Sequence, residues 1–131
     1  MRARILVADT PESDRRLTEV LNGHELVFAR TLSVAQRLLA QHEFGLVVVG
    51  VHFDDSRMFD LVRHVRSAGQ DEPPVACTRS YRFVSPALSI EGLEIAAKAL
   101  ACNLFVDLTK YPDDARGNAE VRKLLEGLLT P

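Results

Sequence analysis

Phe44-Gly45-Leu46-Val47-Val48-Val49-Gly50 places four apolar residues in a row, three of them β-branched valines. A run of that kind suits a strand buried on both faces, which is the environment of a central strand in a parallel sheet. In open parallel sheets, ligands and chemistry gather just past the carboxyl ends of the strands. The residue at that end here is Gly50, which has no side chain. The remainder of the chain must supply strands to flank this run and helices to cover it.

The flanking segments fit that demand. Ile5-Leu6-Val7-Ala8 is a short apolar strand that ends at Asp9. Thr10 or Ser13 can cap the helix that follows, and Pro11 suits its first turn. Leu17, Val20 and Leu21 give this helix an apolar face, and Asn22-Gly23 stops it. Glu25 to Ala29 is a second strand. Thr31 or Ser33 caps a helix to about His42, with Leu32, Ala35, Leu38 and Leu39 at helical spacing. After the central strand, His52 to Ser56 is a polar loop. The next helix turns Met58, Leu61, Val62 and Val65 inward, with Gly69 past its end. Val75 to Thr78 is a fourth strand, and Arg79 to Ser85 a loop holding two arginines and two aromatics. Ser85-Pro86 or Ser89 opens a helix with Ile90, Leu93, Ala97 and Leu100 on one face. Leu104 to Leu108 is a fifth strand. Pro112, Asp113 and Asp114 begin a last helix whose buried stripe is Val121, Leu124, Leu125 and Leu128.

Strands alternating with helices at short spacing predict a parallel sheet covered on both faces. The 131 residues fit one domain, 1–131, without repeats or linkers. A net charge of −2 gives no electrostatic reason to expect nucleic acid or an acidic membrane as partner. No apolar run approaches the ~20 residues of a membrane span, and the start is too short for a signal peptide, so a cytoplasmic location is expected. Cys77 and Cys102 lack metal or CxxC spacing and read as buried thiols.

The order and lengths of these elements resemble the receiver domain of bacterial response regulators, the CheY-like family, over essentially the whole chain. Arg4 to Asp9, Phe44 to Arg66 and Pro73 to Thr78 carry the likeness. The resemblance implies a flavodoxin-like (βα)5 fold: a doubly wound, five-stranded parallel sheet of order 2-1-3-4-5. It also implies a site. In receivers two acidic residues after the first strand hold Mg²⁺, and an aspartate ending the third strand accepts a phosphoryl group. A Ser or Thr ends the fourth strand and a Lys the fifth. The carboxylate is the nucleophile, the metal offsets phosphate charge, and the hydroxyl and ammonium bind phosphate oxygens. Here Asp9 remains of the acidic pair, with Thr10 at the second place. The acceptor position is Gly50, Thr78 keeps the hydroxyl, Leu108 falls nearest the lysine position, and Lys110 is separated from Pro112 by Tyr111.

Glycine cannot form an acyl phosphate, and one carboxylate is a poor Mg²⁺ site. The expectation is a pseudo-receiver: no enzyme, no metal, no cofactor, acting through protein contacts and open to homodimer formation. Asp54 and Asp55 read as residues stabilising the start of the third helix rather than as replacement acceptors. His24 and His42 read as helix-end residues that offset the dipole, and His64 as a surface residue. Arg79, Tyr81, Arg82 and Phe83 are the candidate partner or ligand contacts, because Arg and Tyr are over-represented at interface hot spots. Phe105, Tyr111, Arg116 and Arg122 mark a second candidate surface. An alternative is a small-ligand sensor with a pocket in the space left at the Gly50 end. An enzyme is disfavoured because Asp9-Thr10-Pro11-Glu12 is no Gly-rich phosphate loop.

Overall fold

A computed structural model describes residues 2–69, 72–80 and 89–129. Strands β1 (Arg4–Ala8), β2 (Glu25–Ala29), β3 (Leu46–Gly50), β4 (Val75–Arg79) and β5 (Leu104–Asp107) form one parallel sheet of order 2-1-3-4-5. Between and after them run α1 (Asp14–Val20), α2 (Leu32–Gln41), α3 (Met58–Ala68), α4 (Ile90–Ala99) and α5 (Ala115–Glu126), with short 3₁₀ turns at Pro11–Ser13 and Leu108–Lys110. β3 is buried at all five positions, as its unbroken apolar run requires.

Alternation along the strands divides the core into two layers. Leu6, Ala8, Val47, Val49, Val75 and Cys77 face one side, where they meet Ala35 of α2, Leu61, Val62 and Val65 of α3, and Leu93 and Ala97 of α4. Ile5, Val7, Leu46, Val48, Ala76 and Val106 face the other, against Leu17 and Val20 of α1 and Val121 and Leu125 of α5. Gly23 ends the turn after α1 with φ +94°, a conformation that favours glycine.

Several local expectations are corrected. Neither Thr10 nor Ser13 caps a helix through its side chain. Thr31 and Ser89 do cap, accepting from the N–H groups of Val34 and Gly92. Pro112 and Asp113 precede α5 rather than starting it. Asp114 is the cap, its Oδ1 accepting from Gly117 N at 2.8 Å. Leu124 is 39% exposed, because the inward stripe of α5 runs through Gly117, Asn118, Val121 and Leu125 instead. β4 extends to Arg79, and β5 stops at Asp107, so Leu108 belongs to a 3₁₀ turn.

His24 does not serve as a helix-end charge. It is buried, its Nδ1 accepts from Ala3 N at 3.0 Å, and its Nε2 lies 2.7 Å from Glu126 Oε2, which ties the start of the chain to the end of α5. His42 is exposed and meets the Phe44 ring edge-on. His64 is half-buried and faces Gln36 of α2. Asp54 does stabilise a helix start, but that of α2: its Oδ2 accepts from Leu32 N at 2.8 Å. It does so from a loop in which Asp54, Asp55 and Ser56 all have positive φ, at 43°, 54° and 68°. No helix among the described residues is long and apolar enough to cross a membrane.

Candidate functional site

The carboxyl ends of β1, β3 and β4 meet at Asp9, Gly50 and Thr78. Strand register causes this. Ala8 lies beside Val49, so Asp9, the next residue, lies beside Gly50, and Gly50 in turn pairs with Thr78. Arg79 is one step further on β4 and pairs with Asp107 of β5. The sequence-predicted positions Asp9, Thr10, Gly50, Thr78 and Arg79 thus gather at one edge of the sheet.

Sequence reasoning expected open space above Gly50. The structure fills it. A Cβ at residue 50 would lie 2.2 Å from Cγ, Oδ1 and Oδ2 of Asp9. The Asp9 carboxyl therefore stands where a side chain on the central strand would begin. Asp9 is 2% exposed. Its Oδ1 accepts from Thr10 N at 2.8 Å, while Oδ2 is buried without a hydrogen bond from any described residue. Burial raises its pKa, and this outweighs the Thr10 N–H, the nearby Ser13 hydroxyl and the Arg30 charge, all of which favour the ionised form. Arg30 clips the strand end from outside. Its guanidinium donates to Asp9 O at 3.0 Å and pairs with Asp14, while it lies 5.4 Å from the centre of the Phe28 ring.

This arrangement does not fit a divalent cation. Such ions take several oxygen ligands in an open geometry. Asp9 is turned into the protein over Gly50, its ionised form is disfavoured, and Thr10 and Gly50 supply no carboxylate. Among the described residues no three His, Cys, Asp or Glu side chains converge as a metal cluster. Thr78 is fully buried, and its Oγ1 has no hydrogen-bond partner among the described residues.

Arg79 is engaged within the chain. Its Nε and Nη2 donate to Asp107 Oδ1 and Oδ2 at 3.1 and 2.7 Å, and Nη2 also donates to Thr109 Oγ1 at 3.1 Å. Burial pushes the Asp107 carboxyl up, but Arg79 and the Thr109 hydroxyl and N–H outweigh it and hold the pKa below the ordinary value. The Arg79 charge also adds to burial in lowering the His52 pKa. Tyr81, Arg82 and Phe83 lie outside the described residues. Leu108 is fully buried and brings no ammonium, and Lys110 is exposed at the end of the same 3₁₀ turn.

The residue that organises the β5–α5 turn escaped the sequence reading. Arg16 of α1 is 8% exposed. It donates to Asn118 Oδ1 at 2.9 Å, Leu108 O at 2.8 Å, Tyr111 O at 2.9 Å and Pro112 O at 3.0 Å. Gly117 completes this knot, since a Cβ there would lie 1.9 Å from Pro112 O. Arg122, a surface candidate, donates instead to Asn22 O at 2.7 Å and pairs with Glu126. Phe105 and Tyr111 are both half-buried, and Arg116 is exposed.

No protein-family model and no curated protein sequence matches the chain. Solved structures do resemble it. The receiver domain of an HD domain-containing protein from Pseudomonas fluorescens Pf-5 superposes with a TM-score of 0.74 at 19% identity, covering 98% of this chain and 87% of that one. The beryllofluoride-activated N-terminal receiver domain of RstA from Klebsiella pneumoniae gives 0.75 at 18% identity, with both chains fully covered. A response regulator from Thermotoga maritima gives 0.73 at 17%, again over the full length of both. The chain therefore has the flavodoxin-like fold of response-regulator receiver domains, with a glycine and an inward-turned aspartate at the edge where β1 and β3 end.

Proposed function

We propose that this domain is a phosphorylation-independent signalling or scaffolding module of a two-component-type system, acting in the cytoplasm through protein contacts. One observation carries the reading: the Asp9 carboxyl occupies the space over Gly50 in which a phosphoryl-accepting side chain would have to stand. The nucleophile is absent, and its room is taken. The likeness in fold to receiver domains supports a signalling context. With no acyl phosphate to make or break, the domain has no catalytic role, and its output is the surface it presents.

Two regions are candidates for that surface. One is the segment after Arg79, with Tyr81, Arg82 and Phe83. The other is an open groove of about 650 Å³ between β5 and α5, where Leu104, Tyr111, Leu124 and Leu128 are flanked by Glu120 and Lys123. A protein partner or a second copy of the chain could cover either.

The test is direct. Incubation with acetyl phosphate and Mg²⁺, and separately with beryllofluoride, is expected to leave the intact mass and the amide NMR spectrum unchanged. A stable phosphoryl adduct, or beryllofluoride-dependent shifts around Asp9 and Thr78, would overturn the proposal. A pull-down comparing wild type with Arg82→Ala plus Phe83→Ala then locates the partner surface.

A further inference from the structure

Asparagine stands at three places in the chain, Asn22, Asn103 and Asn118. Asparagine is a thermolabile residue, because the main-chain nitrogen of the next residue can attack its side-chain amide carbon. Attack requires a side chain that can turn, a following N–H without an acceptor, and little bulk around that nitrogen. The fold denies this to two of the three. Asn103 Oδ1 accepts from Val75 N at 2.8 Å and from Arg66 Nη2 at 2.6 Å, which pins its amide. Asn118 is 8% exposed within α5, its Oδ1 accepts from Arg16 at 2.9 Å, and the helical ladder engages the N–H that follows it.

Asn22 meets every requirement. It lies exposed in the turn between α1 and β2, followed by Gly23, which is also exposed. Neither the Asn22 side-chain amide nor the Gly23 N–H has a hydrogen-bond partner among the described residues. A Cβ built at residue 23 would meet only Arg122 Nη2 among the described residues, at 3.9 Å, so the nitrogen is open. The φ of +94° calls for glycine at this place, and glycine shields its own nitrogen least. The main chain on either side is held. Asn22 N donates to Glu19 O at 3.4 Å, His24 N to Leu21 O at 3.1 Å, and Arg122 Nη1 to Asn22 O at 2.7 Å.

We infer that Asn22 is a self-modification site at which the folded chain deamidates. The Gly23 nitrogen bonds to Asn22 Cγ, the bond from Cγ to the side-chain nitrogen breaks, and that nitrogen leaves as ammonia with the Gly23 proton. Water then opens the resulting succinimide. Opening at Cγ leaves an aspartyl residue; opening at the original main-chain carbonyl leaves an isoaspartyl residue. One amide and one water give one carboxylate and one ammonium ion, with nothing oxidised or reduced. The new carboxylate appears beside Arg122, which pairs with Glu126 at 3.1 Å, whose Oε2 lies 2.7 Å from His24 Nε2. The aspartyl product leaves the main chain as it was. The isoaspartyl product lengthens it by one methylene between Leu21 and His24, where the flanking hydrogen bonds fit the shorter chain. This turn precedes β2, at the end of the sheet opposite Asp9 and Gly50, and the inference does not rest on the signalling reading.

The experiment ages the folded wild-type chain in mildly alkaline buffer beside the free peptide 17–30, which carries the same Asn-Gly pair, until the peptide is half converted. Intact mass counts the amides lost, and electron-transfer fragmentation of tryptic peptides places them and separates aspartate from isoaspartate. Conversion at Asn22 is expected in the folded chain, with Asn103 and Asn118 unchanged and Asn22→Gln unmodified. Asn22 left intact in the folded chain would overturn the inference, as would conversion at Asn103 or Asn118 ahead of it. The isolated isoaspartyl chain should melt below Asn22→Asp, which bears the same charge on an ordinary main chain. Equal melting temperatures would overturn the claim that the added methylene disturbs the turn.

Discussion

Gly50→Ala is expected to destabilise the fold by about 2 kcal/mol, although alanine is the smallest side chain available. The backbone is not the cause, because Gly50 lies outside the left-handed region. The cause is contact: the new Cβ would sit 2.2 Å from three atoms of the Asp9 carboxyl. Inserting a methyl into a filled site costs about 1–3 kcal/mol. Moving Asp9 also breaks its bond to Thr10 N, worth about 1 kcal/mol net. Release of a carboxyl that burial disfavours in its ionised form returns part of this. For a chain of this length the loss corresponds to a fall in Tm of roughly 7 °C. The assay is a double-mutant cycle by urea unfolding with Gly50→Ala, Asp9→Ala and both together. With the Asp9 carboxyl already gone, the methyl should cost less, giving a coupling of about 1 kcal/mol or more. Additivity to within about 0.5 kcal/mol would mean that the two residues do not share that space, and the argument would fail.

The other predictions concern charge and backbone. Asp9→Asn keeps an acceptor for Thr10 N and removes the penalty on the ionised form. Since burial raises the folded pKa, that penalty is present above it and vanishes as pH falls through it toward the unfolded value. The variant should therefore gain on wild type in urea unfolding at about pH 7 and lose that advantage near pH 4; a gap constant with pH would refute this. Arg79→Ala strips the bidentate partner from an Asp107 side chain only 6% exposed. It should cost about 3 kcal/mol by thermal denaturation, with Arg79→Ala/Asp107→Asn recovering part of the loss. Because the Asp107 pKa is lowered on folding, the stability that the pair contributes is present above the unfolded carboxyl pKa and lost as pH falls through the folded one. Gly117→Ala should cost more than Gly50→Ala, since its Cβ would meet rigid backbone at Pro112 O; equal melting temperatures would count against that. Ala101→Gly should stabilise by about 0.5 kcal/mol, because the residue sits at φ 69°, and a lower Tm would contradict it.

What the sequence made legible was whatever depends on neighbours along the chain. Strand runs and helix faces follow from local patterning, right-handed crossovers leave few ways to wind the sheet, and the resemblance to receiver domains implies the strand order. The missing side chain at residue 50 is visible in the sequence as well. What Asp9 does about it is not, because the answer rests on β1–β3 register, which sets Asp9 beside Gly50. The partner of Arg79 is hidden for the same reason: Asp107, 28 residues on, becomes its neighbour only when β4 and β5 pair. His24 looked like a helix-end residue because Glu126, its partner, is 102 positions away. Asp54 kept its expected role but on another helix, since a loop of three left-handed residues carries it to α2. Arg16 gives no local signal at all, as three of its four acceptors are backbone carbonyls 92 to 96 positions further along the chain.

The inward turn of Asp9 also bears on how this sequence can change over time. A single mutation placing an aspartate at residue 50 would drive one carboxyl group into another, adding like-charge repulsion to the collision. An acceptor there would need residue 9 to vacate its place first, a step that by itself confers no phosphoryl chemistry. The glycine and its neighbour thus act as a latch: putting a reactive group on the central strand requires coordinated changes at two strands.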